Sequence, residues 1–264
     1  MNAALFRSVM SQALDRAGKV LREGFGKSAV RYKGRANLVT TADTQSQRRI
    51  LELIRRELPD HDYLAEEKQA RLTGAEYLWV IDPLDGTTNY AHGYPAACVS
   101  IGLLRRGRPL LAGVYDPFRD ERFTAEAGRG ARLNGKPIHV SRPRKLSQAL
   151  LITGFPYDRD ARSHYYTEFY RHFMTRCHDI RRSGTAALDM AWIAAGRADG
   201  FWEFSLAPWD VAAGWLLVQE AGGIVSDFSG MPWRYPDNIA KQTLATNGRV
   251  HKEMLKELRG KLNE

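Results

Sequence analysis

A run of short apolar segments between residues 96 and 140 constrains the fold of this chain more than any other feature. The segments CVSIGLL, LLAGVYD and RFTAEA are separated by turn-forming stretches rich in Arg, Gly, Pro and Asp. Short apolar runs between such turns are typical of β-strands joined by tight connections. The pattern predicts an antiparallel meander and excludes an all-helical protein.

The residues before the meander show helical periodicity. Apolar positions predict a helix over 3–23, ended by Gly24 and Gly26, and a second from about Asp43 to Leu58, closed by Pro59. The apolar run Tyr77–Asp82 predicts a buried strand. This end of the chain is therefore expected to mix helices and strands.

Predicted strands and helices alternate in the rest of the chain. The strands are expected at 149–154, 199–204, 223–228 and 243–246, and the helices at 163–176, 185–195, 211–221 and 249–262, the last capped by Asn247. The basic stretch Ser141–Lys145 is a candidate junction. We expect a mixed α/β (α+β) protein with two subdomains, 1–145 and 146–264, that share one cleft.

Composition and charge exclude several classes of protein. The 264 residues are 44% hydrophobic, which is ordinary for a globular protein and excludes collagen-like and wholly disordered chains. The net charge of +9 favours an anionic partner: nucleic acid, an acidic membrane surface or a phosphorylated small molecule. Cys98 and Cys177 form no disulfide framework, and Arg7 and Asp15 interrupt any signal-like apolar run. A cytoplasmic protein without a membrane segment is expected.

The motif DPLDGTTN at residues 82–89 carries the strongest chemical signal. Asp82 and Asp85 lie three residues apart directly after the predicted buried strand, with Leu84 between them. Two carboxylates and a backbone carbonyl are hard oxygen donors that suit Mg²⁺. Gly86 permits close backbone approach, so that amides at a following helix start can bind a phosphate oxygen. Read alone, the motif also fits an ordinary capped Asx turn.

Other acids stand at similar structural junctions. Glu66 and Glu67 follow a short strand-like run and offer another ligand, although in isolation a solvated acidic turn before Lys68 is the favoured interpretation. Asp210 and Asp43 each stand at the start of a predicted helix, where an N-cap is the simpler interpretation. These acids indicate a metal site only in combination with the 82–89 motif.

Several common catalytic motifs are absent from the sequence. The seven histidines form no HxxxH or Cys/His cluster, which argues against a zinc site. The sequence contains no GxSxG elbow and no GxxxxGK[ST] loop, and no GxGxxG follows a strand. The motif is also unlike the DxDGT nucleophile motif of haloacid-dehalogenase-type phosphatases, because two residues rather than one separate its acids.

At these residues the chain resembles the inositol monophosphatase family, and most closely its bacterial inositol-1-monophosphatase branch. The likeness covers nearly the whole chain, and the DPxDGT and WD motifs together are highly specific. It is carried by LVTTAD (38–43), EE (66–67), WVIDPLDGTTNY (79–90), GRGARLNGKPI (128–138), RRSGTAALDMAWIAAGRADGFWE (181–203), WDVAAGWLLVQEAGG (209–223) and GGIVSDF (222–228). The expected fold is a layered αβαβα sandwich.

The resemblance implies a metal-dependent phosphatase. Glu66, Asp82 and the Leu84 carbonyl would hold a first Mg²⁺. Asp82, Asp85 and Asp210 would hold a second. The resemblance further implies attack by an activated water without a covalent intermediate, inhibition by lithium, and a homodimer.

Further roles are also implied by the resemblance. Thr87, with Glu66, would orient the attacking water and make Glu66, Thr87 and Asp82 the catalytic set. Asp43, Lys33 and Glu67 would support a third metal ion or its waters.

The substrate contacts are implied in the same way. The Gly86 and Thr87 amides would bind the phosphate, and Glu203 would accept hydrogen bonds from sugar or cyclitol hydroxyls. The pocket would be lined further by Gly184, Thr185, Ala186, Glu66, Leu84, Asp85 and Asp210.

Two alternatives remain open at this point. Related branches of the family hydrolyse fructose-1,6-bisphosphate, histidinol phosphate or 3′-phosphoadenosine 5′-phosphate, and the shared metal motifs do not distinguish among them. A basic protein that binds RNA or the transcription machinery is a different class of function, motivated by the +9 charge. No RNA-recognition, KH or helix-turn-helix motif supports it, so inositol phosphate or a related polyol phosphate is the favoured substrate.

Overall fold

The computed structural model describes residues 3–32, 34 and 38–262. Within these residues the chain forms seven α-helices, one 3₁₀ turn and fifteen strands. The helices are α1 (Ala3–Gly24), α2 (Thr41–Glu57), α3 (Thr87–Ala91), α4 (Arg159–Met174), α5 (Ala186–Ala194), α6 (Pro208–Glu220) and α7 (His251–Leu262). The strands are β1 (Val30–Tyr32), β2 (Leu38–Thr40), β3 (Asp62–Ala65), β4 (Gln69–Arg71), β5 (Tyr77–Asp85), β6 (Cys98–Arg105), β7 (Arg108–Asp116), β8 (Glu121–Glu126), β9 (Ala131–Leu133), β10 (Lys136–Ile138), β11 (Leu150–Thr153), β12 (Asp179–Arg181), β13 (Gly200–Phe204), β14 (Ile224–Ser226) and β15 (Gln242–Thr246).

The predicted meander supplies five of the eight strands of the first sheet, β6 to β10. Eight strands lie in the order β10-β9-β8-β7-β6-β5-β3-β4, and β5 to β10 are antiparallel neighbours. The antiparallel meander is confirmed. Within this sheet only β3 and β5 pair in parallel, because the chain between them runs back along β4, on the other side of β3, before it enters β5.

A five-stranded sheet, β12-β11-β13-β15-β14, is built from the second half of the chain. β11 pairs in parallel with β12 and β13, as the helices between them require, whereas β15 pairs antiparallel with β13 and β14. The predicted alternation of strands and helices is confirmed here, and the proposed boundary at residue 145 stays a prediction.

The helices form three layers around the two sheets. One apolar core joins α1 and α2 to the outer face of the first sheet. A second core joins α5 and α6 to residues of both sheets, so this helix pair lies between them. A third joins α4 and α7 to the far face of the second sheet. This is the expected layered αβαβα sandwich.

The helix starts differ from the N-cap interpretation. Thr40 caps α2, and Asp43 occupies the third helical position, where it completes a capping box. Asp210 also lies at the third position, since α6 begins at Pro208. Asn247 lies four residues before His251, where its side chain accepts N–H bonds from Arg249 and Val250 and shapes the turn that precedes α7.

Two large aromatic side chains of the second half of the chain, Trp202 and Trp215, are buried in the apolar cores. Trp202 packs in the third core at 2% exposure, and Trp215 lies in the second at 5%. Of the helices in the described part of the chain, none is both long and apolar enough to span a membrane.

Candidate active site

The 82–89 motif is positioned by an irregularity in β5. The strand continues through Asp85 rather than ending at Asp82, and its register with β6 shifts between these two residues. Pro83 suits such a bulge because it cannot donate a ladder hydrogen bond. In a regular strand, residues three apart face opposite sides. The extra residue brings both carboxylates to the same cavity.

Asp85 connects the two sheets. Its Oδ2 accepts the Thr185 hydroxyl at 2.6 Å and the Ala187 N–H at 2.7 Å, so it satisfies the first turn of α5. Nearby, the Asn89 side-chain amide donates to the Ser183 carbonyl at 2.8 Å. The motif on the first sheet is therefore fixed directly to the loop and helix that lead to the second.

Four of the predicted metal ligands carry carboxylates that line one cavity of about 550 Å³: Glu66, Asp82, Asp85 and Asp210. Asp82 is 2% exposed. Burial, followed by the nearby charges of Glu66, Asp85 and Asp210, raises its pKa well above the usual value. Burial also raises the pKa of Asp85 to about 6, against the opposing effect of its hydrogen bonds. This concentration of negative charge is what a bound cation would relieve.

The start of α2 adds a fifth carboxylate behind Thr87. Asp43 Oδ2 accepts both the N–H and the hydroxyl of Thr40, at 2.7 and 2.6 Å. Its Oδ1 accepts the Thr87 hydroxyl at 3.0 Å, and the Leu84 carbonyl lies at the same distance from that hydroxyl. Asp43 thus positions the side chain of Thr87 and does not line the cavity.

Comparison with known proteins agrees with this geometry. Residues 3–264 match the inositol monophosphatase family. The chain belongs to this family. An inositol-1-monophosphatase from Synechocystis is 47% identical over 93% of this chain and 86% of its own length. The solved structure of an inositol monophosphatase from Anabaena (Nostoc) covers 98% of this chain and 97% of its own, with 45% identity and a TM-score of 0.86. A Salmonella typhimurium protein named Nus factor SuhB is 42% identical over 97% of both chains.

As a member of the inositol monophosphatase family the protein is a phosphatase. The remaining residues implied by the family resemblance fall into two groups. Gly86, Thr87, Gly184, Thr185, Ala186 and Glu203 line the same cavity. Glu67 is turned toward α2, where its N–H donates to the Gln47 side chain at 3.0 Å, and it does not line the cavity. Lys33 lies outside the described residues.

Glu203 lines the cavity and lies against the backbone of Gly154, which carries no side chain. A Cβ built on Gly154 would come within 2.2 Å of the Glu203 carboxylate, so any larger residue there would displace this side chain. Burial raises the pKa of Glu203 to about 8, with Asp189 adding to the rise and Arg182 opposing it. This burial favours the protonated form of the Glu203 carboxyl near neutral pH.

Some lining residues were not identified from the sequence. Arg182 and Arg159 contribute the guanidinium groups, and Tyr157, which is 55% exposed, also lines the cavity. Burial and the four carboxylates together raise the pKa of Tyr157, which places its hydroxyl close to their charges. Arg182 lies within the RRSGTAA segment, two residues before Gly184. Its position in this motif could have identified it as a lining residue. Tyr157 is in a loop without a recognisable pattern.

The donor set fits a hard cation. Carboxylate oxygens and the Leu84 carbonyl are the ligands that Mg²⁺ prefers. Within the described residues, no three Asp, Glu, His or Cys side chains converge into a ready-made metal cluster. The carboxylates instead surround a common cavity that contains only two basic side chains among its described lining residues.

Proposed function

We propose that this phosphatase hydrolyses inositol-1-phosphate or a related polyol phosphate in a Mg²⁺-dependent reaction. One observation carries the proposal: four carboxylates and the Leu84 carbonyl surround a cavity beside the Gly86–Thr87 helix start. Membership of a family that is metal-dependent, and generally uses Mg²⁺, supports it. The name of the Synechocystis relative supports the choice of inositol-1-phosphate.

The proposed ligands come from β5, from the residue after β3 and from the start of α6. Glu66, Asp82 and the Leu84 carbonyl would hold one Mg²⁺, and Asp82, Asp85 and Asp210 a second. When bound, the ions supply positive charge for the phosphoryl oxygens and lower the pKa of a coordinated water. A third ion near Asp43 is an extension of this proposal.

The protein's own groups would position the reactants. Thr87, held by Asp43, and Glu66 would orient the attacking water on one side of the phosphorus. The Gly86 and Thr87 amides would hold a phosphate oxygen. Glu203 would bind the hydroxyls of the alcohol, because it lies on the second sheet across the cavity from the motif. No side chain in this arrangement needs to form a covalent phosphoenzyme.

A substrate panel tests the proposal. Purified protein is assayed with inositol-1-phosphate, fructose-1,6-bisphosphate, histidinol phosphate and 3′-phosphoadenosine 5′-phosphate, each with Mg²⁺ and with EDTA. We expect the highest kcat/KM on inositol-1-phosphate or another polyol phosphate, and no turnover in EDTA. A preference for one of the other three esters would assign the protein to the branch of the family that hydrolyses that ester. Turnover in EDTA would contradict metal dependence.

We also propose that the protein is inhibited by lithium and forms a homodimer. Addition of LiCl at fixed Mg²⁺ is expected to lower the rate of hydrolysis, whereas an unchanged rate would contradict lithium inhibition. Sedimentation equilibrium is expected to give a mass of twice 29.8 kDa. A single-chain mass at assay concentration would show that a dimer is not needed for activity.

A second candidate function is association with the transcription machinery. The specific observation is the name Nus factor SuhB, carried by relatives that are 42–44% identical. The +9 charge is compatible with such a partner. A gel-shift assay with RNA at low salt, repeated on Asp82→Asn, tests it: a shifted band in both proteins would support a role separate from catalysis, and the absence of any band would oppose direct RNA binding.

A further inference from the structure

Helix α2 carries a buried polar side chain beside the bulge in β5. Ser46 is 0% exposed, and its hydroxyl donates at 2.7 Å to the carbonyl of Pro83, which lies 37 positions further along the chain. A hydroxyl that is buried without a partner is unfavourable, so this hydrogen bond is needed for Ser46 to be tolerated there. The contact between α2 and the bulge is therefore polar as well as apolar.

The bulge interrupts the regular pairing of β5. The register between β5 and β6 breaks after Asp82 and resumes at Asp85. Within the described β5–β6 pairing, Pro83 and Leu84 therefore have no Cα partner. On the other side, β3 pairs with β5 only as far as Ile81. Because neither neighbouring strand pairs with these two residues, contacts from outside the sheet must orient the peptide that joins them.

One planar peptide group connects the Ser46 hydroxyl to Asp82. The Pro83 carbonyl and the Leu84 N–H belong to the same peptide group, which is rigid. The carbonyl accepts the Ser46 hydroxyl, and the N–H donates to Asp82 Oδ1 at 2.9 Å. Rotation of this peptide plane would disturb both hydrogen bonds at once. The hydroxyl on α2 therefore holds the donor that orients the Asp82 carboxylate.

The same face of α2 contacts the motif at a second point. Asp43 lies three positions before Ser46, so the two side chains are neighbours on the helix. Asp43 accepts the hydroxyl of Thr87, whereas Ser46 donates to the bulge that precedes it. Both side chains are 0% exposed. Helix α2 thus fixes the motif on both sides of the Leu84 carbonyl.

The direction of the Asp82 carboxylate matters because of its proposed role. Asp82 is the carboxylate shared by both proposed Mg²⁺ ions, and it lines the cavity. Mg²⁺ requires near-ideal octahedral geometry. We propose that Ser46 is a positioning residue, which sets the direction of the Asp82 carboxylate through the Pro83–Leu84 peptide. This inference rests on the proposed Mg²⁺ site and adds to it a residue that does not line the cavity.

Metal binding in the absence of substrate tests the proposal. Protein freed of metal with EDTA and dialysed is melted at a series of MgCl₂ concentrations and constant ionic strength. The rise in Tm gives an apparent Kd for Mg²⁺, because a cation that binds only the folded chain stabilises it. We expect Ser46→Ala to raise this Kd about tenfold or more and to lower kcat at saturating Mg²⁺. An unchanged Kd would overturn the proposal.

Ser226→Ala is the matched control. The Ser226 hydroxyl is also buried, at 2% exposure, and it also donates to a carbonyl at 2.7 Å, that of Asp227, but it does not line the cavity. This variant should melt at a lower temperature without metal and bind Mg²⁺ as the wild type does. An equal rise in Kd in both serine variants would overturn the proposal in favour of a general loosening of the fold.

A second pair of variants separates the hydroxyl from the packing around it. Ser46→Thr keeps the hydroxyl, whereas Ser46→Val has the same shape without it. We expect Ser46→Thr to retain most of the Mg²⁺ affinity and Ser46→Val to lose it, and equal values for the pair would overturn the proposal. A wild-type Tm that does not respond to Mg²⁺ would contradict the proposed metal site and with it this inference. A wild-type response that Ser46→Ala shares would contradict only the role of Ser46.

Discussion

Helices α2 and α6 begin with the same local arrangement, yet their third residues meet different surroundings. Asp43 and Asp210 each accept a backbone N–H at 2.7 Å from the residue before the helix. Asp43 is fully buried and also accepts two hydroxyls, from Thr40 and Thr87. Asp210 lines the cavity, with Ala207 in place of a capping hydroxyl. A carboxylate surrounded by donors stabilises structure, whereas one with an oxygen left for the cavity can bind a ligand.

Asp210→Asn is the strongest test of this difference. Asn still accepts the Ala207 N–H, so the fold should persist, but the charge that would bind a cation is lost. We expect kcat/KM to fall about a thousandfold or more, which corresponds to several kcal/mol of lost stabilisation of the transition state. Initial rates with Mg²⁺ and thermal unfolding measure the two effects. Nearly full activity would remove Asp210 from the ligand set.

Asp43→Asn should affect both properties. An amide cannot accept from Thr40 and Thr87 together in the way that the carboxylate does, so the start of α2 weakens and Thr87 is displaced. We expect the free energy of unfolding to fall by about 1–2 kcal/mol and kcat to fall about tenfold to a hundredfold. Urea denaturation and steady-state kinetics check these values. A loss as large as that of Asp210→Asn, without loss of stability, would make Asp43 a ligand rather than a positioning residue.

Ala207→Thr would make α6 resemble α2. The new hydroxyl can cap the helix and donate to Asp210, as the Thr40 hydroxyl does to Asp43. We expect a gain in stability of about 0.5–1 kcal/mol together with a fall of several-fold in activity, because a further donor to the Asp210 carboxylate weakens its attraction for a cation. Ala207→Val is the matched control, since it has the shape of Thr without the hydroxyl. An equal loss of activity in both variants would indicate steric obstruction of the cavity.

The start of a third helix, α7, carries a buried side chain that is neutral rather than acidic, the imidazole of His251. His251 is 5% exposed between the hydroxyls of Ser226 and Thr246, and burial lowers its pKa to about 4. Below the ordinary value near 6.5 the unfolded chain binds the proton more readily, so stability falls as the pH drops from about 6.5 to 4. This group alone can contribute up to about 3 kcal/mol to that fall.

His251→Gln should therefore have a shallower loss of stability over that range, with phosphatase activity at neutral pH unchanged. Urea denaturation of both proteins at a series of pH values gives the difference, in which the other titrating groups cancel. Parallel curves for the two proteins would show that His251 does not control this pH dependence.

Local patterns in the sequence were sufficient to predict most elements of the fold. Helix α1 and the meander follow directly from their apolar periodicity, and the bulge was not foreseen. Pro83 signals a break, but whether the strand ends or continues past it depends on pairing with β6. The N-cap interpretation of Asp43 and Asp210 was wrong by three residues in each helix, because Thr40 is a good N-cap and Pro208 is well suited to the first helical position.

The candidate site was predictable where a motif lies on one segment and less so where separate segments meet. Asp82, Asp85 and Gly86 are neighbours in the chain, so their chemistry can be inferred together. Tyr157 and Arg159 enter the cavity from a loop and a helix start, which only the packing of the two sheets brings there. The difference between Asp43 and Asp210 depends on Thr87 in the same way, since no local signal indicates which donors will surround a carboxylate.

The absence of a side chain at Gly154 has a consequence for how substrate preference can change. A Cβ at residue 154 would overlap the Glu203 carboxylate, so an alanine there would displace this acid while leaving every proposed metal ligand unchanged. Under the proposed role of Glu203, a substitution at residue 154 would alter the preference for the alcohol and not the reaction at phosphorus. The preference for the alcohol part of the substrate can therefore change through a substitution at residue 154, outside the proposed metal ligands, while the hydrolysis of the phosphate ester is retained.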